Sequence, residues 1–241
     1  MIVLECKGVE FCYPNATSGL EIKHFELKAG ESVFLTGPSG SGKTTFLNLC
    51  AGVLLPQKGS IDLMGKPFHS LSEGQRDRLR VDHIGFVFQQ FNLLPYLSVL
   101  DNVLLPAHFS ERRRGNSLVR SGVKSEHQAT DQSAHQSIQQ SIEQSAHDCL
   151  EALGLQDLAE RKAAHLSVGQ QQRVAVARAL LGKPDLIIAD EPSSALDDDN
   201  QRQFMHLLLE QCHNTGAALM MVSHDLRLGE YFQRHEKVGL V

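Results

Sequence analysis

The stretch "GPSGSGKTT", residues 37–45, separates the apolar run "SVFLT" at residues 32–36 from a segment with the pattern of a helix. It fits G-x-x-x-x-G-K-[ST], which ends here on Lys43 and Thr44. Glycines allow the backbone to turn tightly, so that several N–H groups converge on one point. The helix that starts there adds its free N–H groups and the positive end of its dipole. This stretch is therefore predicted to hold the phosphates of a nucleoside triphosphate.

Two side chains of this loop are predicted to act on the triphosphate directly. An exposed Lys43 supplies positive charge to the β- and γ-phosphates, and the Thr44 hydroxyl binds Mg²⁺. The alternative is a Gly/Ser turn with a solvated lysine, and the strand before the loop and the helix after it argue against that turn. The residues predicted to bind nucleotide here are Gly37, Pro38, Ser39, Gly40, Ser41, Gly42, Lys43, Thr44 and Thr45.

Short apolar runs alternate with longer helical patterns along the chain, which indicates an α/β fold. The runs "DLIIAD" at residues 185–190 and "ALMMVSH" at residues 218–224 are aliphatic without alternation, as in parallel strands that are buried on both faces. The segment "IVLECKGVEF" at residues 2–11 alternates and is typical of an antiparallel strand, which we expect at a sheet edge.

Asp190 and Glu191 end the apolar run "LIIADEP", which places them at the carboxyl edge of the sheet, where ligands of such sheets bind. Asp190 is predicted to hold Mg²⁺ through its water shell, because this ion keeps several waters and takes few carboxylates. Glu191 is the candidate to polarise the attacking water. The alternative is that the paired acids cap the next turn.

The segment "HLSVGQQQRVAVARALLGKP" at residues 165–184 predicts a helix that begins after Ser167 and ends at Gly182. Its N-terminus, with Gly169 and Gln170, is a second potential anion site. One nucleotide cannot readily bind both this helix end and the helix end after the phosphate loop of the same subunit. In a head-to-tail dimer, this helix end would instead meet the γ-phosphate held by the partner's phosphate loop. An ordinary amphipathic helix explains these residues equally well.

The 241 residues suit one large domain, and a net charge of −5 argues against a protein that coats nucleic acid, so no nucleic-acid partner is expected. The five cysteines include no C-x-x-C pair, which favours reduced thiols over disulfides or a zinc site. The N-terminal "MIVLECKGVE" lacks the pattern of a secretory signal, and no run reaches the roughly 18 apolar residues that span a bilayer. A role at a membrane would require docking onto another chain.

The composition shifts to Ser, Gln, His and Arg at about residues 107–144. The first half lacks apolar periodicity and is predicted to be a mobile surface loop, in which "RRR" at residues 112–114 is solvated or, alternatively, contacts lipid headgroups. The second half has apolar residues at helical spacing, which predicts a helix from Asp131 or Ser133 to Gly154. Irregular spacing does not favour a metal site at the histidines His127, His135 and His147.

With these motifs in this order, the chain resembles the ATP-binding subunits of ABC transporters over nearly its whole length. "GPSGSGKTT" is similar to their Walker A loop, "LIIADEP" to their Walker B strand, and "LSVGQ" to their signature, although Val168 stands where glycine is usual. The resemblance implies a P-loop NTPase fold, with a mostly parallel sheet core, an antiparallel β subdomain and an inserted helical subdomain. The implied single domain is residues 1–241, with a core at about 1–88 and 157–241, a helical subdomain at about 90–168 and a polar insertion at about 107–144.

The resemblance also implies roles for single residues. Gln89 in "GFVFQQFNLLP" is similar to the Q-loop glutamine, His224 to the switch histidine that contacts the γ-phosphate, and "SALD" at residues 194–197 to the D-loop. Tyr13 in "FCYP" matches the aromatic residue that stacks on adenine, with Phe11 as the alternative. The implied catalytic residues are Glu191, His224 and Gln89, and the implied Mg²⁺ ligands are Thr44, Gln89 and Asp190.

The implied function is ATP hydrolysis with Mg²⁺ in a head-to-tail homodimer, in which Ser167, Gly169 and Gln170 complete the site of the other chain. The chain itself would lie at the cytoplasmic face of the inner (plasma) membrane, bound to an integral membrane permease-type subunit that uses this energy to export or extract a substrate. The phrase "HIGFVFQQFNLLPYLSVLDNVLLP" is similar to the subfamily for lipoprotein release and macrolide or peptide export. The alternative is a soluble or regulatory ABC ATPase of cell division, translation or DNA maintenance, which copurification with division machinery or ribosomes would reveal.

Overall fold

The structure, a computed structural model, describes residues 1–16, 18–120, 131–194 and 196–239, with residues 116–120 and 131–136 described as helical backbone only. The strands are β1 (Ile2–Phe11), β2 (Leu20–Lys28), β3 (Ser32–Thr36), β4 (Lys58–Leu63), β5 (Lys66–Pro67), β6 (Ile84–Phe88), β7 (Leu186–Asp190), β8 (Ala218–Val222) and β9 (Arg234–Lys237). The α-helices are α1 (Lys43–Cys50), α2 (Glu73–His83), α3 (Val99–Phe109), α4 (Glu111–Arg120), α5 (Asp131–Ala152), α6 (Val168–Leu180) and α7 (Asp198–Thr215).

A five-stranded parallel sheet in the order β6-β7-β8-β3-β9 forms the centre of the fold. In β3, Val33 and Leu35 pack against the antiparallel sheet and α1, whereas Phe34 packs on the opposite side among the long helices. Both faces of the sheet are therefore covered, which explains the unbroken apolar runs and confirms the predicted parallel core. The strand predicted at residues 218–224 ends at Val222, so that His224 lies beyond it.

A separate four-stranded antiparallel sheet has the order β2-β1-β4-β5. The expectation that β1 lies at a sheet edge is wrong, because β1 pairs with β2 on one side and β4 on the other. Its alternation arises because Leu4, Cys6 and Val9 are buried on one face while residues between them point to solvent. Alternating hydrophobicity thus reports one covered face and not the position of a strand within its sheet.

Helices α3, α5, α6 and α7 cover the other side of the parallel sheet with one continuous apolar cluster. The predicted helix with its apolar face is confirmed as α5, in which Ile142, Ala146 and Leu150 are buried. This helix ends at Ala152, two residues before the predicted end at Gly154, whose φ of 65° is left-handed.

The mobile loop predicted from about residue 107 is wrong over residues 107–109, which end α3, and over residues 111–120, which form α4. Arg113 is only 1% exposed, and its guanidinium donates hydrogen bonds to the carbonyls of Val81 at 2.6 Å, Ile84 at 2.5 Å and Leu181 at 3.0 Å. Five N–H donors in a planar fork allow one arginine to satisfy carbonyls from several elements. The arginine run is therefore an anchor of α4 on the core and not a solvated loop.

Neighbouring contacts strengthen this anchor. Arg112 donates a hydrogen bond to Asp185 at 2.7 Å, and His83 lies 2.7 Å from the same carboxylate. Gly182 allows the close approach, since a Cβ atom there would come within 2.4 Å of the Cβ of Arg113. The remainder of the predicted loop, residues 121–130 with His127, lies outside the described residues.

Two features of the described residues concern membrane spanning and metal binding. Within the described residues, no helix combines the length and the apolar content needed to cross a bilayer. The same residues contain no group of three or more His, Cys, Asp or Glu side chains that could hold a metal ion. Three of the five cysteines, Cys6, Cys50 and Cys212, are buried as free thiols.

Candidate active site

A cavity of about 420 Å³ opens at the carboxyl ends of β3, β7 and β8, the sheet edge where the sequence predicts the ligand. The parallel register aligns Asp190 of β7 with Val222 of β8, so that the residues after both strands meet at this edge. The predicted site residues that line the cavity are Tyr13, Ser39, Gly40, Ser41, Gly42, Lys43, Thr44, Thr45, Gln89, Asp190, Glu191 and His224.

Lys43 is the first residue of α1 and lies inside the phosphate loop. Its Nζ donates hydrogen bonds to the carbonyls of Gly37 at 2.7 Å and Pro38 at 2.9 Å, and the residue is only 7% exposed. The expectation of an exposed lysine is therefore wrong, because the loop wraps around the ammonium and its carbonyls solvate it. Gly37 and Pro38 contribute these carbonyls and do not line the cavity itself.

The phosphate loop depends on close backbone approach at Gly37. Its φ is 156°, and a Cβ atom there would lie 2.4 Å from the carbonyl oxygen of Val238 and 2.5 Å from Oγ of Ser41. Oγ of Ser41 is buried in the cavity wall and has no hydrogen-bond partner among the described residues. A buried hydroxyl without a partner is costly, and a phosphate oxygen in the cavity would supply its partner.

Thr44 and Asp190 bring two hard oxygen ligands together on the same wall. Oγ1 of Thr44 lies 3.4 Å from Oδ2 of Asp190. Burial and the charge of Glu191 raise the pKa of Asp190, against the opposing effects of the Thr44 hydrogen bond and the nearby Lys43 and His224. A hydroxyl beside a carboxylate, open to solvent on one side, suits Mg²⁺, which binds few protein oxygens and keeps several waters.

Glu191 is held in a strained and mostly buried position. Its φ of 48° is left-handed, which a non-glycine residue rarely adopts, and its N–H donates to the carbonyl of Val222 at 3.0 Å. Oε2 accepts a hydrogen bond from Oγ of Ser223 at 3.1 Å, while Oε1 lies 3.5 Å from Nε2 of His224. Sequence reasoning missed Ser223, although its place directly before His224 was a usable signal.

His224 and Gln89 approach the acid from two other strands. The side chain of His224 is 64% exposed, in contrast to that of Glu191 at 10%. Gln89 follows β6 directly and is exposed on the cavity wall. Acid, histidine and glutamine therefore converge on one volume large enough for a phosphate and a water.

Tyr13 lies on the cavity wall next to Phe11. The two rings meet edge to face, with centroids 4.9 Å apart, and both line the wall. Gln57 holds this segment, because its Oε1 accepts from the N–H of Cys12 at 2.7 Å and its Nε2 donates to the Cys12 carbonyl at 2.8 Å. Sequence reasoning missed Gln57, and nothing in its local sequence points to this contact.

Three predicted site residues at the start of α6 do not line this cavity: Ser167, Gly169 and Gln170. Oγ of Ser167 accepts from the N–H of Gln170 at 3.3 Å, and Oε1 of Gln170 accepts from the N–H of Ser167 at 3.0 Å. This capping box confirms the predicted start of α6. Val168, the first helical residue, is 48% exposed, and a Cβ atom at Gly169 would meet open space. The tip of α6 is therefore accessible to another molecule.

Comparison with known proteins agrees with this geometry. The sequence model of the family described as "ABC transporter" matches residues 20–194. The chain is 39% identical to YbbA of Escherichia coli strain K12, an uncharacterized ABC transporter ATP-binding protein, over 84% of this chain and 78% of that relative. It is 37% identical to the lipoprotein-releasing system ATP-binding protein LolD of Hydrogenovibrio crunogenus, over 97% of this chain and 92% of that relative.

Solved structures show the same fold. The dimeric structure of MJ0796, a bacterial ABC transporter cassette, matches with a TM-score of 0.73 and 32% identity, over 98% of this chain and 94% of that chain. A dimeric post-hydrolysis state of MJ0796 bound to ADP and Pi matches with a TM-score of 0.72 and 32% identity, over the same shares of both chains.

Proposed function

Because the chain belongs to the ATP-binding subunits of ABC transporters, we propose that it hydrolyses ATP in a head-to-tail homodimer, with Mg²⁺ at Thr44, Asp190 and Gln89. ATP hydrolysis that drives transport through a separate membrane subunit is the activity of this family. The observation that carries the proposal is the division of the site. The cavity holds every predicted catalytic residue, while Ser167 and Gly169 stand on an exposed helix tip away from it.

The dimer supplies what each cavity lacks. The N-terminus of α6 presents free N–H groups and a positive dipole end, which favour an anion. In a head-to-tail arrangement, Ser167 and Gly169 of one chain meet the γ-phosphate that the partner holds on Lys43. A Cβ atom at Gly169 would meet open space and Val168 is 48% exposed, so neither position crowds that contact. MJ0796, at 32% identity, is a dimeric cassette in its solved structures.

Hydrolysis is an in-line displacement in which the protein positions and stabilises charge. Lys43 exchanges its carbonyl partners for the β- and γ-phosphate oxygens. The oxygen of a water forms a bond to the γ-phosphorus, the bond to the bridging oxygen breaks, and ADP leaves with that electron pair. Glu191 orients this water and accepts its proton, while His224 and Gln89 contact the γ-phosphate and the water. Mg²⁺, when bound, neutralises the charge on the β- and γ-phosphate oxygens.

An apolar groove next to Gln89 supports contact with the membrane subunit. Phe88, Leu105, Pro106 and Phe109 line this groove, which has a volume of about 360 Å³, and Phe109 is 73% exposed. We propose that a cytoplasmic segment of the membrane subunit binds here, which places the chain at the cytoplasmic face of the inner (plasma) membrane. The similarity to LolD, a lipoprotein-releasing protein by name, favours export or extraction as the direction of transport.

Mixing two inactive variants tests the shared site. Lys43→Ala removes the phosphate-loop half of a site, and Gly169→Asp blocks the helix tip that the partner would use. Each variant alone should lack ATPase activity. In an equimolar mixture, half of the dimers are mixed and each contains one intact site, so activity should recover to about a quarter of wild type.

The matched control is a mixture of Lys43→Ala with Glu191→Gln, because both changes lie in the same half of the site and no intact site can form. Recovery in the first mixture and none in the control supports the head-to-tail dimer. If the first mixture stays as inactive as its components, the ATP site is complete within one chain and the proposal is wrong. Glu191→Gln should also retain ATP and elute as a dimer in gel filtration.

A further inference from the structure

The backbone directly after Gln89 adopts an unfavourable conformation. Phe91 has a φ of 57° and Asn92 a φ of 48°, both in the left-handed region. Residues other than glycine are strained in this region and keep it only where their surroundings hold them there. Phe91 is buried, with only 6% of its surface exposed. Its N–H donates a hydrogen bond to the Phe88 carbonyl at 3.0 Å. This double left-handed turn fixes the direction in which the chain leaves Gln89.

Arg178, far away in sequence on α6, holds this turn from outside. Its Nη2 donates to the carbonyl of Phe91 and its Nη1 donates to the carbonyl of Asn92, both at 2.6 Å. The described residues offer no carboxylate within ion-pair distance of Arg178, and burial lowers its pKa. A partly buried cation thus has two consecutive backbone carbonyls of the turn as its partners, which a planar guanidinium can satisfy with its two terminal nitrogens.

We propose that Arg178 is a positioning residue for hydrolysis, which fixes Gln89 at the catalytic cavity by clamping the carbonyls of Phe91 and Asn92. This inference rests on the proposed role of Gln89. Gln89 lies two residues before the clamped turn, so loss of the clamp frees its backbone without touching the phosphate loop. ATP affinity should therefore persist while turnover falls. The same helix begins directly after Ser167, so Arg178 also ties the Gln89 loop to the helix tip that serves the partner.

A double-mutant cycle on the full chain tests the inference. Arg178→Met keeps an unbranched apolar stem and removes both hydrogen bonds. It should lower kcat by about 10- to 100-fold, the scale expected when a catalytic group is misplaced by about 1 Å, with little change in the KM for ATP. If Arg178 acts through Gln89, the double variant Arg178→Met with Gln89→Ala should be no slower than Gln89→Ala alone.

The control is Arg202→Met, which removes an exposed arginine of α7 that pairs with Asp199, and wild-type kcat is expected. Hydrogen exchange provides a local measurement. The amides of residues 89–93 should exchange faster in Arg178→Met, whereas those of α1 should be unchanged. A global loss of structure would accelerate exchange in both segments.

The kcat values of the single and double variants distinguish failure of the Arg178 inference from failure of the proposed role of Gln89. If Gln89→Ala retains wild-type kcat, the proposed role of Gln89 fails, and the Arg178 inference falls with it. If Gln89→Ala is slow but Arg178→Met retains wild-type kcat, or if the two effects multiply, only the Arg178 inference is overturned. Should Arg178→Met not fold, Arg178→Lys replaces it in the cycle. A single ammonium cannot reproduce the paired contact, so an intermediate kcat is expected, and a wild-type value would contradict the inference.

Discussion

Nε2 of His224 lies 3.5 Å from Oε1 of Glu191, although the two residues follow different strands. The contact exists because β7 and β8 are parallel neighbours, with Asp190 opposite Val222. Ser223 and the Val222 carbonyl fix the acid, whereas the imidazole is mostly exposed. The acid is therefore the stationary member of the pair, and the histidine is the member that can turn toward a phosphate.

The left-handed backbone of Glu191 gives a stability prediction. Glu191→Gly and Glu191→Ala both remove the carboxylate and its bond to Ser223, and they differ only in the Cβ atom. At a φ of 48°, alanine is strained and glycine is not. The glycine variant should therefore have the higher free energy of unfolding, by about 1 kcal/mol, in urea denaturation.

Asp190 provides the control for this prediction, because it ends β7 and is not among the residues with positive φ. There, the Gly variant should be less stable than the Ala variant. Equal stability of the two variants at Glu191 would show that the backbone is not strained at that position.

Asp190→Asn should affect stability in a pH-dependent manner. Burial and the charge of Glu191 raise the pKa of Asp190 in the folded state. Wild type therefore loses stability as pH rises from the ordinary Asp pKa to the raised folded value, and asparagine does not. The variant should be more stable at neutral pH, by less than about 1 kcal/mol because the site is partly solvated, and the gain should vanish below the ordinary Asp pKa.

Thermal unfolding at several pH values measures this effect. The control is Asp199→Asn, at an exposed position of α7. If the greater stability of Asp190→Asn persisted or grew at acidic pH, the prediction of a raised Asp190 pKa would be contradicted. Loss of Mg²⁺-dependent turnover in the same variant, despite its higher stability, would separate the two roles of the carboxylate.

Arg113→Met should destabilise the chain by about 3 kcal/mol, because it leaves buried carbonyls of three elements without a donor. Arg78→Met is the comparison. Arg78 pairs with Glu111 at 3.3 Å, and both side chains are mostly exposed, so less than about 1 kcal/mol should be lost. Similar losses in the two variants, measured by chemical denaturation, would contradict the anchoring of α4.

Tyr13→Ala should weaken ATP binding by about 5- to 100-fold, the range expected for loss of one base-stacking contact. Tyr13→Phe keeps the ring and should bind ATP as wild type does. Isothermal titration calorimetry measures both. If Tyr13→Ala binds normally and Phe11→Ala does not, the stacking residue is Phe11, which shares the same wall of the cavity.

Sequence reasoning was most successful where one short segment determines the outcome. Local structure formed by neighbouring residues was predictable in three places: the glycines at fixed spacing, the apolar run that ends on Asp190, and the serine three residues before Gln170. These segments yielded the phosphate loop, the parallel strands and the start of α6. Their mutual placement followed from the rule that ligands bind at the carboxyl edge of a parallel sheet.

The misses at Arg113, Gln57 and Ser223 share one physical cause, because each of these side chains bonds to partners distant in sequence. Arg113 looked solvated because its acceptors are backbone carbonyls of α2, β6 and the end of α6. Gln57 and Ser223 act through single contacts that no periodicity reveals. Lys43 was expected in solvent, yet carbonyls of its own loop enclose it. Side chains that bond to groups distant in sequence leave no pattern in composition or spacing.

The pairing of β3 has a consequence for biosynthesis. Ser32 aligns with Leu219 of β8 and Val33 with Arg234 of β9, so both sheet partners of the strand that leads into the phosphate loop lie far from it in sequence. A ribosome must therefore synthesise all the intervening residues before this strand can pair on either side. Such distant pairing slows assembly and keeps apolar segments uncovered in the nascent chain. The phosphate loop therefore gains the sheet that supports it only after β8 and β9 have been synthesised.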